Sequence, residues 1–248
     1  MPNTLPKRPL SGNALKLIAA AAMLIDHTGM LLFPDALWMR IVGRLAFPIF
    51  AFMIAEGCRY TRSRRRYLGL IAVLAALYQI VYWLFDRSTY MSVLVTFTLA
   101  ILVIYALQHL KSTLAEKTRT VVKTACAILL LLSSVAGVWL ANRFLTIDYG
   151  FWGCMLPVWV SIFQPRRGDT MPPAMARFDI LPVHIAMLSV GLFILGLDLG
   201  AIQMGALTAC PLLLLYSGQR GTLNMKYFFY IFYPVHLAVL QGLAMVIW

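Results

Sequence analysis

Apolar runs near 20 residues long recur along the whole chain, and that pattern constrains the fold more than any other feature. A run of that length spans the hydrocarbon of a bilayer as a helix, and only helices or closed barrels can cross it. Candidate spans fall at 15–33, 39–57, 67–85, 90–109, 120–141, 148–163, 178–197, 199–216 and 227–247. The expected fold is therefore all-α: a polytopic membrane helical bundle of about nine transmembrane helices. It has no internal repeat, low-complexity tract or linker, so residues 1–248 read as one integral membrane domain. Of the 248 residues, 61% are hydrophobic and only 12% charged. No polar stretch is long enough to fold as a water-facing catalytic domain. The first run has a basic start but is too long for a cleaved signal peptide, and it contains a charged residue.

The net charge of +12 would point to nucleic acid in a soluble protein. Here the basic residues sit mainly in short loops without interleaved aromatics, which excludes a nucleic-acid module and leaves a topology signal. One set of loops carries Lys7, Arg8, Arg59, Arg62, Arg64, Arg65, Arg66, Lys111, Lys117, Arg119, Arg166, Arg167, Arg177, Arg220 and Lys226. The alternate loops carry Arg40, Arg87 and Arg143 with Asp35, Asp86, Asp148 and Asp198. The positive-inside rule then predicts a cytoplasmic N-terminus and an outward C-terminus. The four cysteines and four histidines are scattered without metal-ligand or disulfide spacing.

Ionisable groups inside spans are costly and usually face a bundle interior or a wet cavity. The deepest are Asp26, His27, Arg44, Glu56, His184 and His236. In the predicted topology Asp26, His27, Arg44 and Asp148 lie in the outer half and His236 near the middle. One polar cavity would gather a base, its orienters and a fixed cation. Lys16 and His27 are eleven residues apart, hence only about 20° apart around a helix and roughly 16 Å apart along it. A cation at the cytoplasmic end of the groove that holds a base suits a long donor such as a coenzyme A thioester. A snorkelling role for Lys16 is the plainer alternative.

Adjacent residues on a helix diverge, so Asp26 is expected to pair with Arg44 across the first two spans. His27 would be oriented by another group, with Asp148 as the candidate. Pro48 is expected to kink the second span, and Asn13 to cap the first. Glu56 reads as a local partner of the arginine cluster, which itself suits anionic lipid headgroups or the phosphates of a cofactor. Pro234 is placed to present His236 to the interior. His184 and His109 read as structural and interfacial.

The stretches LKLIAAAAMLIDHTG, RIVGRLAFPIFAFMIAEG, TIDYGFWG and FFYIFYPVHLAVL, spread over nearly the whole chain, resemble the TraX family. The prototype of that family is associated with N-terminal acetylation of conjugative pilin. The family in turn resembles multi-pass acyltransferases that carry a basic residue, ten intervening residues and a histidine in an early span, a pattern that Lys16 and His27 match. The resemblance implies transfer of an acetyl group from cytosolic acetyl-CoA to an acceptor reached from the outer face, either a pilin-like protein or a glycan.

In such chemistry the acceptor loses a proton as it attacks the thioester, and a neutral imidazole can take it. His27 is the expected base. Arg44 would stabilise developing negative charge or an anionic group, with Asp26 holding it. Asp148 and His236 complete the candidate catalytic set. Lys16, with Arg62, Arg64, Arg65 and Arg66, would favour the coenzyme A phosphates. A proton-coupled transporter would use similar buried charges, although paired half-repeats are missing from the sequence. A non-catalytic assembly factor would use them only to fix helix contacts.

Overall fold

The structure is a computed structural model that describes residues 8–87, 89–222 and 225–247; Lys7 of the charge pattern lies outside them. It is 77% helical, and among the described residues no strand forms. The helices in chain order are α1 (Gly12–Leu32), α2 (Leu37–Gly43), α3 (Ala46–Tyr60), α4 (Arg64–Asp86), α5 (Val93–Ala115) and α6 (Val121–Phe144). They continue with α7 (Gly150–Ser161), the short α8 (Pro173–Ala176), α9 (Leu181–Leu199), α10 (Ala201–Met204), α11 (Ala209–Leu214) and α12 (Lys226–Ile247). Among the described residues, six segments are long and apolar enough to cross a membrane, with α2 and α3 counted together, and shorter apolar helices accompany them. The protein is a polytopic helical membrane protein.

Helix α3 forms the centre. Its Ile49, Ala51 and Phe52 are fully buried, and they share one apolar core with Leu15 of α1, Leu156 of α7 and Leu188 and Leu192 of α9. Small residues such as Ala51 and Ala55 let neighbouring backbones come close, which is how helices associate without a hydrophobic drive between them. Helix α6 is peripheral: Val121, Val122, Leu129, Trp139 and Phe144 are exposed on it, as lipid-facing positions should be.

Local sequence sets the helix ends. Helix α1 is capped by Ser11, whose hydroxyl accepts from the Ala14 amide at 3.2 Å, and not by Asn13, which lies in the first turn. Ser63 and Thr120 cap α4 and α6 in the same way. The second span is broken at Arg44 and Leu45, whose amides bond to Ile41 and Val42 in tight three-residue turns. The expected kink at Pro48 therefore sits one turn earlier. Pro48 occupies the third position of α3, where its missing N–H costs little. What it cannot do is bond the carbonyl four residues back, that of Arg44, and there the helix parts.

The start of α1 is tied to the segment after α11. Leu10 pairs with Tyr216 through Leu10 N–H to the Leu215 carbonyl at 3.0 Å and Ser217 N–H to the Leu10 carbonyl at 2.8 Å. Gly12 and Asn13 donate to the carbonyls of Gln219 and Arg220. These bonds satisfy the open amides of the first turn of α1 and hold it against the segment that leads into α12.

Candidate functional site

Asp26 and His27 leave α1 in different directions, as a 100° step requires. Asp26 turns toward the break between α2 and α3. Arg44 donates from Nη2 to Asp26 Oδ1 at 3.0 Å and Oδ2 at 3.2 Å. Arg40 Nη1 lies 2.9 Å from Asp26 Oδ2, and also donates to the Asp26 carbonyl at 3.3 Å. One buried carboxylate thus joins two guanidinium groups. Arg44 is held further by the Arg40 carbonyl at 3.2 Å and by Gln203 Oε1 at 3.1 Å. Gly43 is what permits this: a Cβ there would collide with the Asp26 carboxylate.

His27 turns toward α12. Its Nδ1 is 2.8 Å from Nε2 of His236, and the two rings are parallel within 3°. His236 Nδ1 is 2.8 Å from the Phe232 carbonyl. A carbonyl only accepts, so His236 carries its proton on Nδ1 and accepts through Nε2. In the neutral pair His27 must then donate from Nδ1, which leaves Nε2 as the basic lone pair. The partner that orients the candidate base is therefore His236 and not Asp148. Sequence spacing could not reveal this, because 209 positions separate the two rings.

Asp148 precedes α7 in a tight turn. Tyr149, at φ +60°, and Gly150, at φ +59°, both take the left-handed conformation. That is uncommon for a residue with a bulky side chain and marks a constrained position. The Tyr149 ring stacks on Phe47 of α3 with centroids 3.7 Å apart. Asp148 accepts from the Tyr90 hydroxyl at 2.7 Å, while its carbonyl accepts from Thr96 at 2.6 Å.

Asp26, His27 and Asp148 line a narrow cavity of about 70 Å³. The same three residues line a wider vestibule of about 470 Å³, together with Arg40 and Arg44. On the other side the narrow cavity shares Phe50, Phe97 and Tyr233 with an inner chamber of about 430 Å³. Apolar side chains of α3, α4 and α5 form most of that chamber, and Lys16 and Arg220 supply its cationic lining. Lys16 Nζ also lies 5.9 Å from the Phe229 ring centre.

The arginine cluster is elsewhere. Arg62, Arg64, Arg65 and Arg66 are not among the residues that line the inner chamber. Arg64 donates to Gln108 at 3.2 Å and Asp169 at 3.3 Å, while Arg62, Arg65 and Arg66 are exposed. Glu56 is no partner of that cluster either: it is buried and accepts from Gln164 at 3.1 Å and Tyr216 at 3.0 Å. His184 joins this second network through Gln164 at 3.3 Å and Asp179 at 3.2 Å. Arg220, Tyr90 and Gln203 are site residues that sequence reading missed. Arg220 was visible only as a loop charge.

A family model described as TraX protein matches residues 11–244. The chain belongs to the TraX family. One similar protein is named probable fimbrial assembly protein FimC, serogroup H1, of Dichelobacter nodosus. It is 28% identical over 247 residues, covering 93% of this chain and 94% of the relative. An uncharacterized protein, RP591, of Rickettsia prowazekii is 53% identical over 38 residues, 15% of each chain. No solved structure matches this TraX chain.

Proposed function

We propose that the protein is a membrane-embedded acyltransferase that moves an acetyl group from cytosolic acetyl-CoA to an amine or hydroxyl at the outer face. The observation that supports it best is a succession of cavities, two of which His27 lines. A chamber with two cations shares residues with a narrow passage, and the passage shares His27, Asp26 and Asp148 with a vestibule. A donor with anionic phosphates and a slender pantetheine arm fits the first, with Lys16 and Arg220 beside its phosphates. The acceptor enters by the vestibule. The protein would lie in a bacterial inner membrane with its N-terminus in the cytoplasm, and exposed Arg62, Arg65 and Arg66 would meet anionic lipid headgroups.

In this reading His27 Nε2 takes the proton from the acceptor as its nitrogen or oxygen bonds to the thioester carbonyl carbon. The tetrahedral adduct then expels the coenzyme A sulfur, which receives that proton from the imidazolium. His236 fixes the tautomer of His27. The Asp26–Arg44 pair holds the break between α2 and α3 at the passage, and Arg40, the second guanidinium on that carboxylate, leaves a fixed positive charge near the developing oxyanion. The name of the Dichelobacter relative favours a pilin-like protein over a glycan as acceptor.

The test is purified protein with labelled acetyl-CoA. Saturable binding and slow release of coenzyme A thiol, lost in His27→Ala with an unchanged melting curve, is the expected result. If the wild-type protein does not bind acetyl-CoA, the enzyme reading fails and a non-catalytic role in assembly takes its place.

A further inference from the structure

A fourth cavity, of about 440 Å³, opens beside the vestibule and shares Met30, Arg40, Arg44 and Leu199 with it. It lies among α1, α2 and α10, and neither the base nor the donor chamber reaches it. Among the described residues, its polar side chains are hydrogen-bond donors facing apolar neighbours: Arg40, Arg44 and Gln203 beside Met30, Leu199 and Ile202.

Gln203 is the informative member. It is only 3% exposed. Its Oε1 is committed to Arg44 Nη1 at 3.1 Å, which orients the amide and assigns its two ends. Its Nε2 has no hydrogen-bond partner among the described residues. An amide donor is costly to bury unpaired, so this one offers a hydrogen bond to a ligand oxygen that reaches it. Arg40 adds a guanidinium that remains 30% exposed while it touches Asp26. The two guanidinium groups share one carboxylate, so the wall carries a net positive charge.

We propose that this cavity is an acceptor subsite. It takes a ligand that carries a hydrogen-bond-accepting oxygen, carbonyl or carboxylate, next to its nucleophile and beside an apolar group. The oxygen pairs with Gln203 Nε2 and Arg40, the apolar group packs on Leu199 and Ile202, and the nucleophile extends through the shared wall toward His27. The assignment of this ligand as the acyl acceptor rests on the acyltransferase reading; the binding preference itself does not.

Three matched amines test it: L-phenylalaninamide, L-phenylalanine and 2-phenylethylamine, which present a carbonyl, a carboxylate and neither. Titration calorimetry with purified protein and no acetyl-CoA is expected to rank the two oxygen-bearing amines at least tenfold above phenylethylamine. Which of the two binds tighter distinguishes a neutral from a charged oxygen. Gln203→Glu keeps an oxygen for Arg44 but turns the free donor into an acceptor, and is expected to abolish the preference. Ile202→Trp, which narrows the same cavity from its rim, is expected to weaken all three. Equal affinity of the three amines for the wild-type protein overturns the proposal without any variant. So does a preference that survives Gln203→Glu, or complete displacement of the amines by phosphatidylglycerol, which would assign the cavity to lipid. A wild-type protein that ranks the amines as expected yet binds no acetyl-CoA would sink the enzyme reading alone.

Discussion

His27 of the first helix and His236 of the last share one hydrogen bond, 2.8 Å long, between Nδ1 and Nε2. The bond to the Phe232 carbonyl fixes the direction in which that pair is polarised. The two rings therefore act as one unit, with a single basic nitrogen left over on His27. Nitrogen-15 NMR of histidine-labelled protein should find His27 protonated on Nδ1 and bare on Nε2. His236→Leu should let both tautomers appear and lower acetyl transfer by about ten- to a hundredfold, less than the loss of 10²–10⁴-fold expected for removing the base in His27→Ala. A single unchanged tautomer in His236→Leu would refute the coupling.

Gly43 and Asp26 are packed without room for one more carbon. Gly43→Ala must push the carboxylate away from Arg44, or α2 away from α1, at a cost of about 1–3 kcal/mol. Its melting temperature in detergent should fall and transfer should be lost together. Gly137→Ala on α6, where a Cβ would meet open space, is the control and should leave the melting temperature unchanged or raised.

Lys16 and Arg220 line the chamber assigned to the donor, whereas the arginine cluster does not. Lys16→Gln and Arg220→Gln should each raise KM for acetyl-CoA about tenfold, equivalent to about 1.4 kcal/mol. Arg62→Gln, Arg65→Gln and Arg66→Gln should leave it unchanged. With acetyl-pantetheine, which has no phosphates, the first two variants should match the wild-type protein. An equal penalty on both thioesters would remove the phosphate argument.

Lys111, expected from its charge to be a loop residue, is buried near the end of α5, which continues to Ala115. Its Nζ donates to the carbonyls of Ser161 at 2.7 Å and Gln164 at 2.6 Å. It thereby caps the C-terminal end of α7, where open carbonyls attract a cation. Lys111→Met should destabilise the fold by about 1.5–3 kcal/mol, visible as a lower melting temperature. Binding of acetyl-CoA at low temperature should persist, because neither Lys111 nor any residue of α7 lines the chamber assigned to the donor.

The sequence made the cost of buried charge legible, and through it much of the site. Asp26 and Arg44 had to find each other, since neither could remain unpaired among apolar helices, and they do. Depth alone brought Asp26, His27 and Asp148 to one level, where they line one cavity. What could not be read was contact between distant helices. Nothing local marks His236 as the partner of His27, or Gln203 as the partner of Arg44. Charge pattern also misdirected: a basic loop residue looks the same whether it stays exposed, as Arg65 does, or lines a chamber, as Arg220 does. The break in the second span was legible in kind but misplaced by one turn, because proline acts on the carbonyl behind it.

The tie between the start of α1 and residues 215–220 bears on the order in which the helices come together. Helix α1 is synthesised first, yet the amides of its first turn are satisfied by carbonyls of Gln219 and Arg220, and its histidine is matched only by His236. A nascent chain whose early helices are already inserted holds an open groove where the last helix belongs. His27 acquires its partner, and the inner chamber its wall of Phe229, Phe232 and Tyr233, only when α12 docks. A chain cut before Lys226 would lack both.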